Sequence, residues 1–164
     1  MKKTLVLLCA LLLLTGCGGR PNKTFTPQKY FTRDFTLYHG DYEIEGRLTC
    51  NSYEDLVFTF THPAALTHAA VRASSAGFTC NVGGIADALA ADLLPDDAPL
   101  KLFAAAVRES VFPARDFSFD GGDFVTELNF NGLPIRCRFA ADGALLRIDC
   151  EAASTTVRFT EPTN

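Results

Sequence analysis

Apolar and polar residues alternate strictly along several stretches of the chain, and this period of two constrains the fold more than any other feature. In the clearest stretch, one set of alternate positions is largely apolar: Tyr42, Ile44, Gly46, Leu48 and Cys50. The intervening positions are polar, and the pattern predicts a strand with one buried face. Leu56, Phe58 and Phe60 repeat it. Strands of this kind are typical of antiparallel sheets with one wet face.

Short turn signals between these stretches predict which strand residues face each other. A turn at His39-Gly40 sets Leu37 opposite Tyr42 and Phe35 opposite Ile44. The loop of residues 51–55 sets Leu48 opposite Phe58. These pairings keep the apolar residues on one face, whereas a slip of one residue would invert every side chain.

Four further turns predict a meander of five strands over residues 115–160. Gly121-Gly122 and Asn131-Gly132 are two-residue hairpin signals. Together with the Ala141-Asp142 turn and a last loop, they predict the following pairs: Phe119 with Phe124, Phe130 with Leu133, Leu128 with Ile135, Phe139 with Leu146, Cys137 with Ile148, and Ile148 with Val157. The opposite face carries Arg136, Arg138, Arg147, Asp149 and Arg158 and is expected to be wet.

Two stretches in the middle of the chain, residues 84–94 and 97–111, are rich in Ala and Leu and predict helices. In the second, apolar residues recur at helical spacing, and Asp96 or Asp97 is expected to cap its start. The apolar face of the sheet needs a cover, which these helices can supply. The predicted class is therefore α+β: a curled antiparallel sheet, an incomplete barrel of about nine strands, with two mid-chain helices on its concave face.

The N-terminus has the pattern of a secretion signal. Met1-Lys2-Lys3 precedes an apolar run from Leu5 to Leu14, and Leu14-Thr15-Gly16-Cys17 follows. The apolar run is about half the roughly 20 residues that a spanning helix needs. The tetrapeptide resembles the bacterial lipobox, which implies cleavage after residue 16 and lipid attachment, such as palmitate, to Cys17. We therefore expect a lipid-anchored protein of the cell membrane that faces the extracytoplasmic side.

Three segments follow from this prediction: a signal peptide (1–16), a lipidated tether (17–30) and a single domain (31–164). The tether is predicted from polar composition and two prolines without periodicity. Once Lys2 and Lys3 leave with the signal peptide, 13 of the 15 basic residues remain against 19 acidic residues, a net charge of −6. This charge argues against nucleic acid as a partner. The membrane is the expected partner, and the sequence contains no signal that identifies a protein partner.

Four cysteines remain besides Cys9 and Cys17: Cys50, Cys80, Cys137 and Cys150. Export permits disulfides, and four cysteines allow three pairings. All four fall on the predicted apolar face, which favours buried thiols. Cys137 and Cys150 are expected to be diagonal neighbours, whose Cβ atoms lie about 7 to 8 Å apart, too far for a disulfide unless the register shifts.

The order of these elements, together with Leu56-Val-Phe-Thr-Phe-Thr-His-Pro63 and Gly83-Gly84-Ile85, resembles the LolA/LolB-like lipoprotein-carrier superfamily and its small lipoprotein relatives. The resemblance covers nearly all of the chain after Cys17. It implies an incomplete barrel with a helical lid over an apolar concavity, which in carriers receives acyl chains.

The Phe-rich face has two possible roles. It could line a pocket for an acyl chain or another apolar ligand, with these candidate residues: Phe35, Leu48, Phe58, Phe60, Leu102, Phe103, Phe119, Phe124, Leu128 and Phe130. Alternatively it is a core filled by its own helices, because protein interiors are densely packed. In the second case the domain is a protein-interaction or scaffold module.

No motif for catalysis is found in the sequence. His39, His62 and His68 lack the spacing of a zinc hydrolase, and the cysteines have no Cys-x-x-Cys spacing. No serine lies in Gly-x-Ser-x-Gly, and no glycine-rich phosphate loop is present. We therefore expect a non-catalytic protein without metal or cofactor.

Overall fold

The computed structural model describes residues 25–90 and 93–160, and the predicted signal peptide and Cys17 lie outside these residues. The N-terminal half of the sheet has six strands: β1 Phe31–His39, β2 Tyr42–Ser52, β3 Asp55–His62, β4 Ala69–Ser74, β5 Gly77–Val82 and β6 Ile85–Ala90. The C-terminal half has one helix and five strands: α1 Pro99–Val111, β7 Ser118–Asp120, β8 Asp123–Phe130, β9 Leu133–Phe139, β10 Leu145–Cys150 and β11 Thr155–Phe159.

All strands belong to one antiparallel sheet, whose order is β6-β5-β4-β3-β2-β1-β11-β10-β9-β8-β7. Every neighbouring pair is consecutive in sequence except β1 and β11, which join the two halves through Phe35 opposite Phe159 and Leu37 opposite Val157. In the described residues the sheet is open, with β6 and β7 at its edges. The predicted curled antiparallel sheet is confirmed, but it has 11 strands instead of about nine.

Most of the predicted strand pairings are confirmed. They include Leu48 opposite Phe58 in the first half, and in the meander Phe119 opposite Phe124, Phe130 opposite Leu133, Leu128 opposite Ile135, Cys137 opposite Ile148 and Ile148 opposite Val157. The turns joining these strands have two-residue geometry or short loops, which leave little freedom of register.

Three predicted residue pairs are wrong. Residues 40 and 41 form the first turn, so Leu37 lies opposite Ile44 and Phe35 opposite Gly46. This shift of two residues keeps every side chain on its predicted face. In the meander Phe139 faces Leu145 instead of Leu146, because a β-bulge between Leu145 and Arg147 absorbs one residue.

The first predicted helix is also wrong, because residues 85–90 form strand β6. Gly83 and Gly84 have positive φ angles of 60° and 90°, which is the geometry of a two-residue hairpin turn. The turn places Ile85 opposite Val82 and directs the chain back along β5. Helix propensity is a weak preference, and here the turn and the strand pairing override it.

The second predicted helix is confirmed as α1, but its cap differs. The N-cap residue is Ala98 and makes no side-chain hydrogen bond, while Pro99 occupies the first turn. Asp96 instead pairs with Lys101, at 2.7 Å between Oδ1 and Nζ. A proline at the first helical position loses no hydrogen bond and has a suitable φ, so it starts the helix without a capping side chain.

Helix α1 lies on the concave face and packs against it. The ring of Phe103 contacts the rings of Phe35, Phe58 and Phe159, with centroids 5.1, 5.0 and 5.7 Å away, and is 1% exposed. The core therefore joins the helix to strands from both halves of the sheet.

The pairing of β2 with β3 shifts register beside Gly46: Glu45 faces His62 and Gly46 faces Phe60, so Thr61 is the extra residue on β3. A Cβ at position 46 would collide with the carbonyl oxygen of Thr59 and lie 2.9 Å from Cζ of Phe35. Only glycine fits between a neighbouring strand and a buried ring at this distance.

The end of the predicted tether contacts the domain. Phe25 stacks on Phe124 at 4.1 Å between centroids and meets the edges of Phe117 and Phe139. The backbone N–H of Gln28 donates to the carbonyl of Gly143 at 2.8 Å. Residues 25–28 are thus bound to the sheet before β1 begins.

Candidate functional site

A cavity of about 360 Å³ lies between α1, the β4–β5 hairpin and the β8–β9 hairpin. Residues from both halves of the sheet line it together with residues of the helix. Its volume is within the range of roughly 300 to 1,000 Å³ that is usual for small-molecule sites.

The wall of the cavity is apolar in its buried part. Five side chains from four elements form it: Phe78, Ala105, Leu128, Phe130 and Ile135. All are less than 9% exposed except Phe130, which is half-buried. Alternation in β5, β8 and β9 directs these side chains to the concave face, and Ala105 leaves space because it has no atoms beyond Cβ.

Charged and polar residues surround this apolar part, and most of them are paired. Nη2 of Arg115 contacts Oε2 of Glu109 at 2.6 Å, and the Tyr53 hydroxyl donates to Oε1 of Glu109 at 3.1 Å. Burial and this hydrogen bond raise the pKa of Tyr53. Nζ of Lys101 is held by Asp96 and by the carbonyl of Leu94, at 2.7 and 3.0 Å.

Arg108 is the exception among these groups. Its Nε donates to the carbonyl of Tyr53 at 2.9 Å, but its Nη2 is buried and has no hydrogen-bond partner among the described residues. Burial lowers the pKa of Arg108 from its ordinary value, although a guanidinium remains charged at neutral pH. The wall of the cavity therefore contains a cation with unused hydrogen-bonding capacity.

The structure separates the candidate residues predicted from the Phe-rich face. Leu128 and Phe130 line the cavity. Five are buried in the packed core, namely Phe35, Leu48, Phe58, Leu102 and Phe103, and Phe60 packs against that core. Phe124 lies under Phe25, and Phe119 is 63% exposed. Leu128 also belongs to that core, so the packed core forms part of the cavity wall.

Sequence reasoning missed the polar residues of the cavity, although α1 contains a signal for them. Lys101, Ala105 and Arg108 are spaced by four and three residues, which places them on one helical face. This spacing shows that Lys101 and Arg108 share a face of the helix. It does not predict that their side chains are partly buried, because two cations on one helical face are usually solvated.

A broader and more open groove lies on the outer face of β8–β11. Its basic residues include Arg136 and Arg147, which pair with Asp120 and Asp149 at 2.9 and 2.7 Å. This is the predicted wet face of the meander. Its cations are matched by acids, so it is a weaker candidate for a site than the cavity.

All four described cysteines are free thiols, and three of them are buried. Burial raises the pKa of both Cys50 and Cys137 to about 12. Sγ of Cys50 also donates to the carbonyl of Lys29 at 3.2 Å. A thiol must ionise to act as a nucleophile or metal ligand, so these two are poorly suited to either role.

Comparison with known proteins finds similar folds but no close relative. The chain is similar to a solved LolA superfamily protein from Nitrosomonas europaea, with a TM-score of 0.46, 10% identity, and coverage of 84% of this chain and 86% of that one. It is also similar to LprF from Mycobacterium bovis, with a TM-score of 0.34, 9% identity, and coverage of 82% and 88%. No family model and no curated protein matches the sequence.

Similarity at this level concerns the fold alone. Within residues 25–90 and 93–160, no helix is long and apolar enough to cross a membrane. The same residues contain no group of three His, Cys, Asp or Glu side chains placed to hold a metal ion.

Proposed function

We propose that this protein is a non-catalytic lipoprotein, held on the extracytoplasmic side of the cell membrane by a lipid on Cys17, and that its domain binds the apolar part of an amphiphile. The observation that carries the binding proposal is the cavity of about 360 Å³ beside α1. Its apolar wall favours an acyl chain over a polar solute, because removing apolar surface from water is favourable.

The anchor proposal rests on the lipobox-like residues that end in Cys17. Two or more acyl chains hold a protein on a membrane durably, whereas one chain binds only marginally. Because residues 25–28 are bound to the sheet, the domain would be separated from Cys17 by residues 18–24 alone. The cavity would then lie close to the membrane that supplies amphiphiles.

The test of ligand binding uses the full chain reconstituted in phosphatidylcholine nanodiscs, with empty nanodiscs as background. Radiolabelled dodecanoic acid is titrated onto the protein and onto Ala105→Leu, which places extra carbons in the cavity. We expect Ala105→Leu to weaken binding at least tenfold, with urea unfolding to check its stability. The matched control is Ala88→Leu, on the exposed outer face of β6.

Equal binding by Ala105→Leu and Ala88→Leu would contradict the assignment of the site. Native mass spectrometry after mild extraction provides the second readout. A chain that carries no amphiphile and binds none that is added would overturn the binding proposal and leave a scaffold as the function.

A scaffold function has one observation in its favour, at the edge strand β6. Three apolar side chains near this edge are exposed, namely Val82 (52%), Ile85 (79%) and Leu89 (38%). An unpaired strand edge with apolar side chains fits an extended apolar segment of another envelope protein, added as a further strand. Photo-crosslinking from position 85 in intact cells should then recover one dominant protein, with position 88 on the outer face as the control.

A further inference from the structure

The charges around the cavity point to the chemistry of its ligand. Three cations and one anion line it, in a protein whose overall charge is negative: Lys101, Arg108, Arg115 and Glu109. Two of the cations already have carboxylate partners, Lys101 in Asp96 and Arg115 in Glu109. Glu54 is also engaged, because it accepts a hydrogen bond from the backbone N–H of Ser75 at 2.7 Å, and its pKa is lowered as a result.

Arg108 is therefore the cation whose bonding is incomplete among the described residues. A buried N–H without a partner costs free energy, and the cost is greater when the group is charged. Within residues 25–90 and 93–160, no carboxylate makes an ion pair with it, and the one hydrogen bond found is to the backbone carbonyl of Tyr53. A ligand oxyanion at the cavity wall would complete its coordination, since a guanidinium binds carboxylates and phosphates through two parallel N–H groups.

We propose that the cavity selects amphiphiles with an oxyanion head, a carboxylate or a phosphate, and that Arg108 is the residue that recognises it. This inference rests on the proposed function, because the apolar wall must hold the tail whose head reaches Arg108. Ala105 and Arg108 are one helical turn apart on α1, so tail and head sites are adjacent. An uncharged head group would leave the guanidinium unpaired and would bind less tightly.

The experiment compares ligands that share one tail and differ in the head. Dodecanoate, dodecyl phosphate and dodecanol are titrated onto the full chain in phosphatidylcholine nanodiscs, with acetate and inorganic phosphate as heads without a tail. We expect both anionic amphiphiles to bind at least tenfold more tightly than dodecanol, equivalent to about 1.4 kcal/mol. At the same concentrations, acetate and inorganic phosphate are expected to compete only weakly with the anionic amphiphiles for the site.

The variants locate this preference on one side chain. Arg108→Gln should bind all three amphiphiles equally, and Arg108→Lys should retain part of the preference for anions. The matched control is Arg72→Gln, an arginine outside the cavity lining that has a carboxylate partner in Asp55; it should keep the preference. Because the wild-type comparison of heads needs no variant, the inference stays testable if Arg108→Gln does not fold.

The outcomes separate the inference from the function on which it rests. If dodecanol binds as tightly as dodecanoate, the role of Arg108 is overturned while amphiphile binding stands. If none of the three binds, both are overturned. If acetate or phosphate alone binds as tightly as the amphiphiles, the site is one for a free small anion and the lipid source is excluded.

Discussion

Replacing Phe103 by Ala is expected to destabilise the domain more than any other single change in the Phe-rich face. The ring is 1% exposed and contacts the rings of Phe35, Phe58 and Phe159. Loss of a fully buried Phe costs about 3 to 5 kcal/mol, and three edge-to-face contacts place this site at the upper end. For a domain of this size each kcal/mol lowers Tm by about 2 to 4 °C, so we expect a fall of roughly 10 to 20 °C.

The assay is urea unfolding of the purified full chain, followed by circular dichroism, with Phe119→Ala as the matched control. Phe119 belongs to the same predicted set but is 63% exposed, so its removal should cost less than about 1 kcal/mol. The comparison separates the two roles considered for this face. If Phe103→Ala costs no more than Phe119→Ala, the region around Phe103 is a ligand cavity and the packed-core interpretation is refuted.

Three further predictions concern the backbone, the thiols and the anchor. Gly46→Ala should lower the free energy of unfolding by about 1 to 3 kcal/mol in the same assay, because its Cβ meets the Thr59 carbonyl, and an unchanged midpoint would contradict this. Cys50 and Cys137, with pKa values raised to about 12, should resist a thiol reagent at pH 8 until the chain unfolds. The pKa values of these thiols are higher in the folded chain than in the unfolded chain, so the stability they contribute is complete below about pH 8.5 and is lost as pH rises towards 12. The expected loss is up to about 1.4 kcal/mol per thiol and pH unit. A free energy of unfolding in urea that stays constant across this range would refute the prediction. Cys17→Ala should move the protein from the membrane fraction to the soluble fraction on cell fractionation. Retention in the membrane fraction would count against the lipid anchor.

The sequence by itself determined the local architecture of the sheet. Alternation assigns each side chain to a face, and a turn such as Asn131-Gly132 allows few registers, so Leu128 opposite Ile135 follows from neighbouring residues alone. The same locality explains the one helix that was predicted correctly, since its apolar residues recur along its own length. Even the error at the first turn shifted the pairing by two residues and left the faces intact.

Tertiary structure decided what the local patterns leave open. Residues 85–90 have the composition of a helix but form β6, because pairing with β5 outweighs a weak propensity. The cavity is likewise decided at this level, because its wall comes from residues more than 50 positions apart, Phe78 and Phe130. Nη2 of Arg108, which has no hydrogen-bond partner in the part of the chain that the structure describes, depends on the same arrangement. A hydrogen bond that is missing is a property of all the surrounding groups together, and no stretch of sequence can encode it alone.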